Sequence, residues 1–194
     1  TFCCYVFSQR LDGLSSNNLT TYRRLNRYIK HLSGNQFLLI DELANSYAID
    51  LDRVYSTGMS NGGFMSFLLA CQLSEKIAAV ASVTGSMTPD TLNDCNAQHP
   101  TPVLQIHGTN DIVVPYDGNS TWTLPIVDLV SYWVNYNNCE ATPTTTTFPD
   151  LDLSDGSTAW APKVTCASAR TEYQPSINVS VVCTANCATW LPTK

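Results

Sequence analysis

A serine lies between two glycines near the middle of the chain, where Gly58-Met59-Ser60-Asn61-Gly62 fits the pattern G-x-S-x-G. A β-favouring run at 53–57 precedes it and an apolar helical pattern follows, which is the context in which this pattern presents a nucleophilic serine. Such a serine is strained, and glycines two residues to either side avoid clashes. Its hydroxyl would attack a carbonyl carbon, and the Asn61 N–H would donate to the oxyanion. The alternative is a glycine-rich turn that Ser60 only caps.

An acidic partner for this serine is predicted at Asp111. Serine needs a base to remove its proton, and in α/β enzymes with this pattern an acid and then a histidine follow it along the chain. Asp111 lies in the turn after the predicted strand 103–107, which places it at the same sheet edge as Ser60. The alternative is a turn aspartate that caps its own backbone. Asp117 and Asp128 are less well placed.

The general base has no clear candidate. The three histidines are His31, His99 and His107, and all of them precede Asp111. His107 lies at a strand end before a glycine, a position more typical of a packed or loop-bracing residue than of a base. His99 and His31 have no spacing that links them to Ser60.

The apolar pattern predicts the elements that position these residues. From residue 37 the order is a helix at 40–47, a strand at 53–57, a helix after Ser60, strands at 77–83 and 103–107, a helix from near Pro125 and a last strand at 178–183. This alternation favours a mostly parallel sheet with helices on both faces, in one domain over 1–194. The threonine-rich stretch 142–147 is predicted to be a loop. Asp150, Asp152 and Asp155 are interpreted as a solvated acidic loop rather than a calcium site.

Composition excludes several classes of protein. Of the 194 residues 44% are hydrophobic and 13% charged, and the net charge is -6. These values argue against a disordered chain and a basic nucleic-acid-binding domain. A transmembrane helix is not expected, because there is no apolar run of about 18 residues. The basic cluster Arg23, Arg24, Arg27 and Lys30 is interpreted as a solvated helix face.

Eight cysteines favour disulfides in a secreted protein over a structural zinc site, for which the spacing is poor. Cys139 with Cys166 is the one pairing predicted, from their position around a single loop, and Cys71 is predicted to be a core thiol. Tripeptides that permit N-glycosylation begin at Asn18, Asn119 and Asn178. They arise by chance in a chain rich in Thr, Ser and Asn, so they are weak evidence of secretion. No signal peptide is visible, and no metal or other cofactor is expected.

A family resemblance rests on longer stretches than the serine pattern. Residues 50–65 and 106–118, which contain Ser60 and Asp111, resemble the secreted polyhydroxybutyrate depolymerase and feruloyl esterase family of α/β-hydrolases. Shorter matches continue the resemblance at 69–71, 78–81, 132–133 and 138–139. It implies an α/β-hydrolase fold, Ser60 as nucleophile, Asp111 as acid, and an extracellular carboxylic-ester hydrolase acting on hydroxyalkanoate polyesters or on feruloyl or acetyl esters of plant polysaccharide.

The two ends of the chain depart from that family. Residues 1–36 lack its upstream His-Gly motif, and Ala188 stands in 187–192 where the family has its catalytic histidine. The chain is also short for the complete fold, so a truncated or reading-frame-altered member is expected. The neighbouring reading frames near codon 183 test this idea.

Two other functions stay open at this point. One is a catalytically impaired or non-catalytic α/β-hydrolase-like binding protein that lacks the triad histidine. The other is a secreted lectin-like domain, which the helical patterns between 37 and 139 disfavour. Trp122 and Trp133 are candidates for stacking on a sugar or aromatic acyl group, although core packing is the more common role of such residues.

Overall fold

The computed structural model describes residues 2–6, 40–140, 142–150, 153–154, 156, 158–166 and 177–184, with only the backbone of the first and last ranges. Within this part of the chain seven strands form one sheet. They are β1 (Phe2–Val6), β2 (Ile49–Met59), β3 (Ala79–Val83), β4 (Val103–Gly108), β5 (Thr144–Thr147), β6 (Ala159–Cys166) and β7 (Ile177–Thr184).

The sheet has the strand order β1-β2-β3-β4-β7-β6-β5. Neighbours from β1 through β4 to β7 pair in parallel, whereas β6 and β5 continue the sheet antiparallel. The carboxyl ends of parallel strands meet at one edge of a sheet, which is where α/β proteins bind ligands. The chain after β2, β3, β4 and β7 therefore leaves from one common edge.

Helices connect and cover these strands. The described helical segments are α1 (residues 40–46), α2 (Asn61–Gln72), α3 (Pro89–Asn93) and α4 (Ile126–Tyr136). Helix α2 is buried on almost every side, as its apolar composition predicts. It packs against β2, where the Ser56 hydroxyl donates to Ser66 Oγ at 2.9 Å. The next residue of α2, Phe67, places its ring 6.3 Å from the Trp133 ring of α4.

Helices α2 and α4 therefore share one face of the sheet. Buried side chains from successive strands point toward them, beginning with Val54, Val80 and Val103. Trp133 is fully buried in this core, so it offers no stacking surface for a ligand. Trp122 is only partly buried and lies against the Phe64 ring at 6.1 Å.

The mostly parallel sheet predicted from the sequence is confirmed, and the helices predicted after Ser60 and near Pro125 are present. Strand β2 is longer than predicted at both ends, because it begins at Ile49 and runs on through Gly58 to Met59. The last strand, predicted at 178–183, corresponds to β7.

The prediction of a loop at 142–147 is wrong, because Thr144–Thr147 forms the edge strand β5. Its four side chains are all exposed, so no alternation of polar and apolar residues marks it. β-Branched threonine nevertheless favours extended structure, and this propensity outweighs the nearby prolines. Strand β6, which pairs with β5, was not predicted either.

Two disulfides link described residues. Cys139–Cys166 confirms the predicted pairing. The prediction for Cys71 is wrong, because it is bonded to Cys95 and is not a free core thiol. Its apolar surroundings on α2 concealed a partner that lies 24 residues later, in the loop after α3.

Removing the Cys71–Cys95 bond should weaken the fold measurably. A Cys71→Ala/Cys95→Ala variant is expected to lose about 3–4 kcal/mol of unfolding free energy, because the unfolded chain regains the freedom of a closed loop. The corresponding fall in Tm is about 10 °C for a chain of this size. Calorimetry under non-reducing conditions measures it, and an unchanged Tm would contradict the assigned role.

Several sequence predictions lie outside the described residues. They concern the basic cluster at 23–30, His31, Asp152, Asp155, the sequon at Asn18, and Ala188 with its neighbours. The side chains of Cys3, Cys4, Cys183 and Cys187 are outside them as well.

Candidate active site

Ser60 occupies the turn between β2 and α2. Its backbone angles are φ 55° and ψ -115°, a left-handed conformation that a serine adopts only under strain. Backbone hydrogen bonds hold the turn through both the N–H and the carbonyl of Ser60. The Ser60 N–H donates to the Val83 carbonyl of β3 at 2.8 Å, and the Ser60 carbonyl accepts the N–H groups of Gly63 and Phe64.

Two close backbone contacts make this turn possible. A Cβ atom on Gly58 would lie 2.6 Å from the backbone of Gly62, so Gly58 has no room for a larger residue. A Cβ atom on Gly85, in the loop after β3, would lie 2.7 Å from Gly63 Cα. The first contact is the physical reason for Gly58 in the sequence pattern, and the second requires glycine at position 85.

The Ser60 hydroxyl does not cap the helix. Ser60 is the N-cap residue of α2, yet its side chain makes no capping hydrogen bond. The alternative of a plain capping serine is therefore wrong. Asn61 begins the helix, so its N–H has no acceptor within the helix and is available to an anion.

The strained backbone at Ser60 is expected to lower the stability of the native chain. Ser60→Gly should raise Tm by a few degrees, because releasing a strained backbone is worth about 1–3 kcal/mol, less the extra freedom of glycine in the unfolded chain. Ser120→Gly is the matched control, since Ser120 is exposed and does not have a positive φ. If both variants lose stability equally, Ser60 stores no strain.

Asp111 lies in the turn after β4, with 15% of its side chain exposed. Its Oδ1 accepts the N–H groups of Val113 and Val114 at 2.8 and 2.9 Å. The carboxylate thus does cap its own turn, as the alternative interpretation proposed. It does so with one oxygen, while Oδ2 lies 3.6 Å from His107 Nε2, beyond hydrogen-bonding distance.

The sheet brings the ends of β2 and β4 to the same edge with β3 between them. The ends of β2 and β4 are therefore two interstrand spacings apart, or about 10 Å. In serine hydrolases an imidazole lies between the serine and the acid and links them. Asp117 and Asp128 are exposed and lie farther along the chain, with Asp128 in the first turn of α4. Of the predicted acids, Asp111 therefore has the geometry closest to that of a triad member.

His107 is a bracing residue, as the sequence suggested, and is unsuited to be the base. Its side chain is completely buried. Nε2 donates to the Val114 carbonyl at 2.8 Å, and Nδ1 accepts from Gln105 Nε2 at 3.0 Å. Burial lowers the pKa of His107, and this outweighs the opposite effects of the Val114 carbonyl and the Asp111 carboxylate. Both ring nitrogens are thus engaged away from Ser60.

His99 lies at the opposite edge of the sheet, four residues before β4 begins. Its ring nitrogens contact the carbonyls of Pro100 and Ser74. Since α2 runs from Ser60 toward Ser74, His99 lies near the far end of that helix. Among the described residues, neither histidine can serve Ser60 as a base.

The buried His107 predicts a pH-dependent stability. Its folded pKa lies below the ordinary value of 6.5, so the unfolded chain binds the extra proton more readily. The unfolding free energy should fall as pH drops from about 7.5 to about 5, with the loss beginning near the unfolded pKa. His107→Gln should show a smaller fall in denaturant titrations at the two pH values. Equal falls in both chains would contradict a neutral, buried His107.

Strand β7 ends beside β4, with Thr184 paired to Gly108. The segment that follows Thr184 in the sequence therefore starts from the same edge as the Asp111 turn. Ala188, which the family resemblance aligns with the catalytic histidine, belongs to this segment and lies outside the described residues.

Three exposed apolar side chains flank the two candidate residues. Met59 precedes Ser60 and is 71% exposed, and Ile112 and Val113 follow Asp111 with 93% and 65% exposed. Exposed apolar side chains mark a binding surface when they gather into one patch, whereas single ones are ordinary. We call these three residues the apolar rim.

The described residues contain neither a cluster of metal-binding side chains nor a helix that could span a membrane. Their His, Cys, Asp and Glu side chains form no group of three or more that could hold a metal ion. None of the helices in the described ranges is long and apolar enough to cross a membrane.

The turn at Ser60, its place in a mostly parallel sheet, and the Asp111 turn at the same edge define an α/β-hydrolase fold. The sequence model of the Phospholipase/Carboxylesterase family matches residues 11–131. The chain belongs to this family.

Individual relatives agree with this assignment. The chain is 40% identical over 78 residues to a bifunctional acetylxylan esterase/xylanase of Neocallimastix patriciarum, covering 40% of this chain and 11% of that one. It is 40% identical over 83 residues to a putative esterase of Nocardia uniformis subsp. tsuyamanensis, covering 43% and 24%. A probable feruloyl esterase C of Aspergillus niger is 30% identical over 103 residues, with 53% and 34% covered. The chain thus spans about a third or less of the length of these three relatives.

A solved structure supports the fold. The acetyl xylan esterase from Aspergillus awamori superposes with a TM-score of 0.52 at 13% identity, covering 78% of this chain and 60% of that one. The feruloyl esterase part of the predicted resemblance is confirmed by these comparisons. Its polyhydroxybutyrate depolymerase part stays a prediction.

Proposed function

We propose that the protein is a serine carboxylic-ester hydrolase. Ser60 Oγ attacks the ester carbonyl, its proton passes through a general base to the leaving alcohol, and an acyl-enzyme forms. Water then releases the acid and restores the serine. The observation that carries this proposal is the strained Ser60, which does not use its hydroxyl as a cap and stands at the start of a buried helix.

The Asn61 N–H supports the negatively charged intermediate in this proposal. It opens α2, where the helix dipole also favours an anion. Asp111 would orient the imidazole of the base and stabilise its charged form. Its Oδ2, which accepts no hydrogen bond from the Val113 and Val114 N–H groups, is the oxygen available for that role.

The apolar rim favours an acyl group or polymer with apolar surface. Met59, Ile112 and Val113 carry no charge and adjoin the reacting residues in the chain. Feruloyl and acetyl esters on plant polysaccharide fit the names of the relatives, and a polyhydroxyalkanoate ester fits the same chemistry. The two disulfides support a secreted protein.

A non-catalytic binding protein is the second candidate, and one observation favours it. The histidines at 99 and 107 are both engaged away from Ser60. A chain without a base would keep the fold and its ester-binding surface but turn over slowly.

A panel of esters tests the proposed function. The full chain is assayed with p-nitrophenyl acetate, methyl ferulate, acetylated xylan and a polyhydroxybutyrate suspension. Ester hydrolysis above the buffer rate, and lost in Ser60→Ala but not in Ser120→Ala, supports the enzyme. Saturable binding of an ester with hydrolysis at the buffer rate would favour the non-catalytic protein.

A further inference from the structure

The inner face of β4 is unusually polar. Its buried positions are Val103, Gln105 and His107, so two of the three carry polar side chains inside a parallel sheet. Such positions are normally apolar. Gln105 Oε1 has no hydrogen-bond partner among the described residues, and an unpaired buried oxygen costs about 1–3 kcal/mol. Packing of the core alone does not account for this arrangement.

Gln105 connects β4 to the loop that supports Ser60. The two hydrogens of its amide nitrogen are both used, one by the Gly85 carbonyl at 2.8 Å and one by His107 Nδ1 at 3.0 Å. Gly85 in turn lies against Gly63 in the first turn of α2. Gln105 is therefore hydrogen-bonded to the loop that packs against the turn containing Ser60.

His107 extends this connection to the Asp111 turn. A backbone carbonyl only accepts hydrogen bonds, so the 2.8 Å contact with Val114 places the proton of the neutral ring on Nε2. Val114 also donates its N–H to Asp111 Oδ1. The same residue is thus held by His107 through its carbonyl and by Asp111 through its amide.

From this chain of contacts we infer that Gln105 and His107 are positioning residues that set the place of Asp111 relative to Ser60. Neither touches the substrate. They join the Gly63–Gly85 contact to Val114 through three hydrogen bonds between buried groups, so the acid turn and the serine turn move as one unit. The inference rests on the proposed function for its effect on catalysis, but its structural part can be tested without any activity.

The test compares two substitutions of the same side chain. In His107→Gln the amide nitrogen reaches about as far as Nε2 and can still donate to the Val114 carbonyl, whereas the shorter amide of His107→Asn reaches only the Nδ1 position. Gln105→Met removes the hydrogen bonds at similar volume. His99→Asn is the matched control, because His99 also contacts two carbonyls but at the opposite sheet edge.

Nuclear magnetic resonance of the full native chain gives the deciding measurement. The imidazole shifts of His107 should report a neutral ring protonated on Nε2. The N–H order parameters of Val113 and Val114 should be near 0.85 in the native chain and in His99→Asn, and fall below about 0.6 in His107→Asn and Gln105→Met. His107→Gln should restore the native values. Rigid Val113 and Val114 in all variants, or equal loosening in His107→Gln and His107→Asn, would overturn the inference.

Turnover separates this inference from the proposed function. Wherever ester turnover is measurable, His107→Asn should lower kcat about tenfold to a hundredfold with KM nearly unchanged, because a misplaced acid acts on the chemical step. A chain that hydrolyses no ester but shows the loosened turn refutes the enzyme and keeps the positioning role. Normal kcat with a loosened turn would refute the catalytic effect of positioning.

Discussion

Ala188→His should raise the kcat for p-nitrophenyl acetate by about a hundredfold or more, because a positioned general base contributes at least that factor. The family resemblance aligns Ala188 with the catalytic histidine. The end of β7 beside β4 brings the chain to the edge that holds Ser60 and Asp111. Steady-state kinetics of the purified variant measure the gain.

Ala185→His is the matched control, since it introduces the same residue three positions earlier in the same segment. It should produce little gain. An equal gain in both variants would mean that a histidine anywhere in this segment suffices. No gain in either would contradict the assignment of position 188 as the missing base.

Ser60→Ala should remove that gain completely, and this is the second large effect. Residues that act as one catalytic unit are strongly non-additive. In the Ala188→His background we therefore expect a loss of about a hundredfold or more, whereas in the native chain the loss should be much smaller. Measuring all four chains gives the coupling between the two positions.

Additive effects would contradict the shared mechanism. If Ser60→Ala lowers turnover equally in both backgrounds, the introduced histidine acts independently of the serine. If the native chain already turns over rapidly and Ser60→Ala abolishes it, another group serves as base.

The sequence predicted the part of the fold that the site depends on. The glycines around Ser60 and the switch from a β-favouring run to an apolar helix are local signals, so they predict the turn before its distant contacts are known. Asp111 could be placed because the residues before it favour a short strand and a turn follows that strand.

Other features depend on distant contacts that leave no local signal. Cys71 looks like any apolar residue of α2 until Cys95 is brought beside it. The strand Thr144–Thr147 is stabilised by pairing with β6, and its exposed side chains give no alternation. Gln105 was missed as a positioning residue, although a glutamine within a predicted buried strand was a signal that could have pointed to it.

Fluorophosphonate labelling shows whether Ser60 is the nucleophile. The native chain and the Ala188→His variant are incubated with the probe in parallel reactions, and the adduct is located by peptide mass mapping. We expect a single adduct on Ser60 in both chains, forming faster in the variant. An adduct on another residue, or none in either chain, would contradict Ser60 as the nucleophile of an ester hydrolase.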